Sequence, residues 1–387
     1  MKVLLVGNLP DDRQESMRRF TELLHSGLTA RGHHVTQLAP RLRIARLAGA
    51  YRYGGISKYL GYLDKFALFP RQLRKQIKAT RPDVVHITDH ANASYARAAG
   101  TAPVLITCHD LLQVRAALGE IPQQRVSGLG RRYQAWILRS LAQAPRLACV
   151  SSKTREEVLR LTTLPPALVS VVPNALNHPY RPLDHAVARE RVAELAAANQ
   201  VDPSRLSPGK GGFLLNVGGA HWYKNRAGLL AIYAELRRRL MPTPALVMVG
   251  PPLSSEDAAR VATLGLSEQV ILFSSLTNDQ LEGLYGLAEG LIFPSWEEGF
   301  GWPIAEAQAC GCPVFTSNRA PMNEVGGSAG VYFDPADPAD AARLIAAAWP
   351  NRAAQRARGF EEVRRWDPAA MFAGYEKIYR ELAARKR

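Results

Sequence analysis

Short apolar, mostly β-branched runs recur along the chain at 2–7, 34–38, 83–88, 103–108, 146–150 and 168–172. Between them lie stretches that suit helices, at 13–31, 70–80, 93–99, 129–143 and 153–162. Apolar runs of that length fit strands buried on both faces. A second set follows, with strands near 213–217, 245–249, 269–273, 290–294, 312–316 and 330–333 and helices near 226–240, 255–264, 277–288, 303–310 and 337–347. Thr154 and Glu157 have the spacing of a capping box at one helix start. Ordered strand–helix alternation predicts an α/β fold of two Rossmann-like, doubly wound parallel-sheet domains. The limits read as 1–175 and 176–365, with 366–387 a final helix. Val172-Pro173-Asn174-Ala175, and a stretch ending in Ser207-Pro208-Gly209-Lys210-Gly211-Gly212, suit a linker and lead-in loop. Two such domains facing each other leave a central cleft, and open parallel sheets bind ligands at the carboxyl ends of their strands.

Composition adds limits. The 387 residues, 47% hydrophobic and 21% charged, are ample for two cores. The longest apolar runs, such as Leu246 to Val249, are too short to cross a bilayer. The first residues read as a strand and not a signal peptide, so the cytosol is the expected compartment. Cys108, Cys149, Cys310 and Cys312 form no paired framework and read as small buried residues. Charge is lopsided. Residues 1–175 hold 26 Lys and Arg against 11 Asp and Glu, whereas residues 176–387 hold 23 of each. Such asymmetry points to an anionic partner for the first half, or to solubility alone.

Several motifs fail on inspection. Gly299-Phe300-Gly301 continues to Ile304 where a dinucleotide fingerprint needs glycine, and Gly209-Lys210-Gly211 lacks the frame of a P-loop. His86, Asp89 and His90 resemble a metal triplet, but His86 lies in a predicted strand, where i and i+4 do not converge. No metal site, no Asp-x-Asp element and no nucleic-acid module is expected.

Phe293-Pro294-Ser295-Trp296-Glu297-Glu298-Gly299-Phe300-Gly301-Trp302-Pro303 through Val314 reads as strand, loop, short helix and next strand. Pro303 suits a first helical turn and Gly311 a helix end. The loop Gly299 to Trp302 then offers backbone N–H groups at a helix N-terminus, a site for phosphate or a sugar hydroxyl. Glu298 in the loop and Glu306 in the first helical turn each supply a carboxylate able to hold paired hydroxyls.

This Glu298-x7-Glu306 element, with Ala309-Cys310-Gly311-x-Pro313-Val314 after it, resembles the signature of family 4 retaining glycosyltransferases of the GT-B fold. Val217-Gly218 with Tyr223-Lys224-Asn225, Thr107-Cys108-His109-Asp110, Cys149-Val150-Ser151-Ser152-Lys153-Thr154 and Val172-Pro173-Asn174 match further elements of that family in order. The resemblance implies a metal-independent hexosyltransferase with no cofactor beyond its nucleotide-sugar donor. It implies that Glu306 holds the ribose, and that Glu298 holds the transferred sugar. Gly299, Phe300, Gly301 and Trp302 would contact sugar and diphosphate through their amides. Lys224, with Asn225, Gly218 and Gly219, would serve the diphosphate. His109 would lie near the transferred sugar, and the final helix would cross back to the first domain.

Two features depart from the family. Gly219-Ala220-His221-Trp222 carries no Arg before Lys224, and Arg226, beyond it, is the nearest substitute. The loop Asn8 to Met17 lacks the family's Gly-Gly, which leaves Gln14, Glu15 and Ser16 to contact donor or acceptor through side chains. The expected acceptor is a glycan or lipid-linked sugar. Arg41 to Arg81 carries Arg41, Arg43, Arg46, Arg52, Lys58, Lys65, Arg71, Arg74, Lys75, Lys78 and Arg81, interleaved with Tyr51, Tyr53, Tyr59, Tyr62, Phe66 and Phe69. That is a surface for an anionic membrane, or else a core with a solvated basic face. A nucleotide-sugar epimerase or hydrolase of the same fold, and a non-catalytic nucleotide-sugar-binding protein, are the alternatives.

Overall fold

A computed structural model describes residues 1–12, 14–47, 55–206 and 212–384. Arg13, Tyr51, Arg52, Tyr53 and the linker residues 207–211 lie outside the described residues, as does the side chain of Lys58. The chain divides into two units, Met1–Asn177 with Pro368–Arg387, and His178–Asp367.

The first unit holds β1 (Lys2–Val6), β2 (His34–Leu38), β3 (Val84–Ile87), β4 (Val104–Cys108), β5 (Leu147–Cys149) and β6 (Val169–Val171). All pair in parallel, in the order β2-β1-β3-β4-β5-β6. Leu4, Val6, Val85, Ile87, Ile106 and Cys108 are buried, as strands covered on both faces require. After β2 the chain returns past β1 to build β3 on its other side, so the order reverses between β1 and β3.

Helix Pro368–Ala384 completes this unit's core. Tyr375 and Tyr379 are fully buried, and the Tyr379 hydroxyl meets His86 Nδ1 at 2.7 Å while His86 Nε2 meets Thr107 Oγ1 at 2.7 Å. Burial first, then the charge of His109, pushes His86 down to about 3, so this imidazole is a neutral core group. Phe372 lies where a Cβ on Gly27 would stand, which lets the final helix sit against helix Glu15–Ala30.

Two local expectations need correction. Helix Ser152–Leu161 is capped by Ser151, whose hydroxyl accepts from Thr154 N, and Glu157 pairs with Lys153 at 2.7 Å and Arg115 at 2.8 Å. The proposed Thr154–Glu157 box loses because Ser151 takes the cap three residues earlier and frees Thr154 to donate to His109 O. The helix expected at 93–99 is part of a longer 3-10 run, His90–Ala99, started by Asp89, whose carboxylate accepts from Ala91 N.

The basic segment is largely helical, as Gly55–Leu63, a π-helical turn Asp64–Leu68 and helix Phe69–Thr80. Its aromatics divide. Phe69 packs in the core at 4.8 Å from Tyr95, whereas Tyr59 is 56% exposed.

The second unit holds β7 (Phe213–Val217), β8 (Ala245–Val249), β9 (Val270–Phe273), β10 (Gly290–Phe293), β11 (Val314–Ser317) and β12 (Gly330–Phe333). They too are parallel, in the order β12-β11-β10-β7-β8-β9. Here the order reverses between β7 and β10. The stretch read as linker contains helix His185–Ala198, capped by Asp184 and packed through Ala188, Val192, Leu195 and Ala196. The strand expected at 312–316 begins only at Val314, because Gly311 (φ +76°) and Cys312 close the preceding helix. Gly311 N donates to Gln308 O at 3.1 Å and Cys312 N to Ala307 O at 2.8 Å, a Schellman closure.

Candidate active site

In a doubly wound sheet the two loops at the reversal of strand order splay apart and leave a crevice at the strand carboxyl ends. In the second unit those loops follow β7 and β10. The first carries Gly218, Gly219, Lys224 and Asn225; the second carries Glu298 to Gly301. They are stitched together. Trp296 N donates to Tyr223 O at 2.7 Å, and Asn225 Nδ2 donates to Pro294 O at 3.0 Å. Asn225 itself stands in the left-handed region (φ +53°) and caps helix Arg226–Leu236 by accepting from Gly228 N at 3.1 Å.

This framework brings Lys224 and Glu298 into contact. Lys224 Nζ lies 2.6 Å from Glu298 Oε1, with side chains 16% and 9% exposed. The rings of Tyr223 and Phe293 face the ammonium at 5.5 and 5.1 Å. A Cβ on Gly218 would stand 3.4 Å from the lysine Cδ, an ordinary contact distance, so the stem runs alongside this loop. The sequence separates these two residues by 74 positions, and only the shared sheet reversal joins them.

Glu306 lies in helix Trp302–Ala309, which starts one residue earlier than expected and moves Glu306 from the first turn to the second. Gly301 caps this helix at φ +104°, a conformation costly for other residues. Glu306 is buried and accepts from the Tyr285 hydroxyl at 3.0 Å. Burial, followed by the charge of Glu306, holds the Tyr285 phenol far above its ordinary range, which keeps it a donor. Phe300 is buried with its ring 5.2 Å from Trp366, and Trp302 is half-buried.

Arg226 does not stand in for the missing arginine. Its guanidinium is buried and donates to the carbonyls of Pro251 at 2.9 Å, Pro252 at 3.3 Å and Gly218 at 3.5 Å. Desolvation lowers its pKa, and its donors are spent on holding two strand-end loops together.

At the first unit's reversal point, the loops after β1 and β3 meet through Asn8. Its amide donates to Asp89 Oδ2 at 2.5 Å and to Gln14 Oε1, and its carbonyl accepts from Asn92 at 2.7 Å. Burial alone would raise the Asp89 carboxyl, but His90, 3.2 Å away, and then His109 and Asn8 hold it far below its usual range. His109 follows β4 and is buried, its Nε2 donating to Thr88 O at 2.9 Å, with Phe20 edge-on at 4.7 Å. Desolvation lowers its pKa despite Asp89, so it is neutral at pH 7 with the proton on Nε2. Gln14, Glu15 and Ser16 are exposed at the start of helix Glu15–Ala30, and Glu15 pairs with Arg18 at 2.5 Å. Asn8, named only as the start of the loop after the first strand, and Tyr285 were not singled out in the sequence, because alternation of strands and helices does not give the strand order that marks Asn8. Among the described residues there is no cluster of three His, Cys, Asp or Glu placed to hold a metal, and no helix long and apolar enough to cross a membrane.

Comparison with known proteins meets the same two halves. Residues 17–178 match the family described as Glycosyltransferase Family 4, and residues 199–366 match Glycosyl transferases group 1. The chain is 30% identical to O-antigen chain mannosyltransferase B of Escherichia coli over 51% of its own length and 50% of that protein. It therefore spans about half the length of that relative. It is 27% identical to D-inositol 3-phosphate glycosyltransferase of Thermobispora bispora, over 94% of this chain and 82% of the relative. Among solved structures, the Anabaena protein Alr3699/HepE in complex with UDP and glucose superposes with a TM-score of 0.71 at 14% identity, over 98% of this chain and 100% of that one. The fold is thus GT-B, and the chain belongs to family 4, group 1, of the retaining glycosyltransferases.

Proposed function

We propose that the chain transfers a hexose, with retention of configuration, from a UDP- or GDP-sugar to a glycan or lipid-linked acceptor in cell-surface polysaccharide or glycoconjugate synthesis. The observation that carries this reading is the convergence of Lys224, Glu298 and the amide end of helix Trp302–Ala309 on the loops at the second sheet's reversal of strand order. The relative that builds O-antigen and the relative solved with UDP and glucose support the acceptor and donor classes.

In this reading Glu306, oriented by Tyr285, accepts from the ribose hydroxyls. Glu298 accepts from the sugar, and the amides of Gly299 to Trp302 face sugar and diphosphate. Lys224, on the loop of Gly218, Gly219 and Asn225, neutralises the departing diphosphate; such preorganised charge is the main source of rate in this chemistry. The bond from the anomeric carbon to the phosphate oxygen breaks as the acceptor hydroxyl attacks from the same face. The acceptor's proton passes to the departing phosphate. His109 lies near the transferred sugar, and Gln14, Glu15 and Ser16 contact donor or acceptor. The basic first unit rests on an anionic cytoplasmic membrane face, which brings a lipid-linked acceptor within reach.

Calorimetry with a panel of UDP-, GDP- and ADP-sugars tests the donor site. One donor should bind the wild-type chain, and Glu306→Ala should weaken it by about 100-fold, the scale of two charge-assisted hydrogen bonds. Unchanged binding removes the ribose assignment.

A further inference from the structure

We propose that Glu298 is the internal counter-ion of Lys224, and that the donor's diphosphate must take the lysine from it before the same carboxylate can hold the sugar. This rests on the donor-site reading above and adds a binding order to it.

The geometry favours an exchange over simultaneous contact. The pair is short, 2.6 Å, and mostly withdrawn from water. The lysine stem runs beside Gly218, and Tyr223 and Phe293 flank the ammonium. The two loops that carry the pair are tied by Trp296 N to Tyr223 O and by Asn225 Nδ2 to Pro294 O, so they cannot drift apart to dissolve the contact. A diphosphate reaching Lys224 therefore meets a carboxylate already there. The ammonium's charge is already matched by the carboxylate, so the diphosphate gains little from it until Glu298 gives up that pairing. When Glu298 leaves, its oxygens become free to accept from sugar hydroxyls.

Two contacts assigned to separate parts of the donor are thereby coupled. A free sugar finds Glu298 occupied, and a nucleoside without its diphosphate has nothing to open the pair. The ion pair selects for a ligand carrying both parts, with the diphosphate acting first.

The test uses sugar-free nucleotides, so that loss of sugar contacts does not enter. UDP, GDP and ADP are titrated by calorimetry into the full chain, Glu298→Gln, Lys224→Met and the double variant, with Glu298→Ser as a second carboxylate-free form. The best-bound diphosphate should bind Glu298→Gln and Glu298→Ser about fivefold or more tightly than wild type, the scale of releasing one ion pair. In the Lys224→Met background the same change should shift affinity by less than about twofold, because the carboxylate acts through the lysine. Equal or weaker binding to both Glu298 variants overturns the exchange while leaving the donor site standing. So does an undiminished gain without Lys224, which would mean a general repulsive field. Failure of all three nucleotides to bind any form removes the donor reading and the exchange together.

Discussion

The guanidinium of Arg226 reaches the carbonyls of Gly218, Pro251 and Pro252 and so ties the loop after β7 to the loop after β8. Arg226→Met would leave those carbonyls short of a partner in a buried place. The expected cost is about 2–4 kcal/mol of stability in urea denaturation. Arg226→Lys should recover little of it, because an ammonium lacks the planar fork that serves several acceptors at once. A stability equal to wild type in both variants would refute this role. Residue by residue, the sequence marked candidate groups more readily than the contacts between them. Glu298 and Glu306 stood out by type and spacing, and Lys224 through the family resemblance. That Lys224 and Glu298 touch was not legible, since 74 residues and a sheet crossover lie between them. Nor was the burial of Arg226, because a charged residue at a helix start reads as exposed until the loops around it are placed.

At the scale of elements, the Glu376 carboxylate gathers several of the contacts of helix Pro368–Ala384. Glu376 accepts from Arg31 Nε at 2.7 Å, lies 3.0 Å from His33 Nε2 and meets Arg380 at 3.2 Å. The Arg31 hydrogen bond outweighs desolvation and, with His33, takes the Glu376 carboxyl from 4.5 down to about 2. A carboxyl depressed in the folded state stabilises fully above its unfolded pKa, and that contribution disappears as pH falls through the folded value. Wild type should therefore lose stability between about pH 4.5 and 2. Glu376→Gln should be less stable at pH 7 and should lose less across that window, as measured by thermal melts over pH. Parallel pH profiles would show that the cluster does not hold the helix. Strands were the most legible elements, because unbroken β-branched runs leave few other readings. Helix His185–Ala198 was lost to the expected linker because two of its four buried positions are alanine, which makes a faint apolar stripe. Helix ends shifted where a neighbouring residue offered a better cap, as Ser151 did.

At the scale of the whole molecule, the excess positive charge belongs to the first half, and exposed apolar side chains gather there too. Tyr59 (56% exposed), Leu63 (48%), Leu118 (53%) and Leu129 (61%) lie on helix Gly55–Leu63, at the end of helix Leu112–Ala117 and at the start of helix Gly128–Leu141. Tyr62 stacks on Tyr133 at 5.7 Å, which joins the first of these helices to the last. Leu118 lines a groove of ≈ 370 Å³ with Leu138, Arg131 and Arg139. Arg125 and Arg132 are exposed nearby in sequence. If this face meets the anionic membrane of the proposed function, the full chain should sediment with vesicles containing anionic phospholipid and be released by high salt. The double variant Leu118→Glu, Leu129→Glu should sediment several-fold less while keeping donor affinity. Equal sedimentation on neutral and anionic vesicles would rule the reading out.

The first unit is discontinuous in sequence, since Tyr375 and Tyr379 from the last helix fill space beside His86 and Thr107. A ribosome delivers those tyrosines only after the entire second unit has emerged. The contiguous unit is thus free to close early, while its partner waits, with part of its interior wet, for the final twenty residues to arrive. A released chain truncated after Asp367 should leave His178–Asp367 resistant to protease and the earlier half open to it.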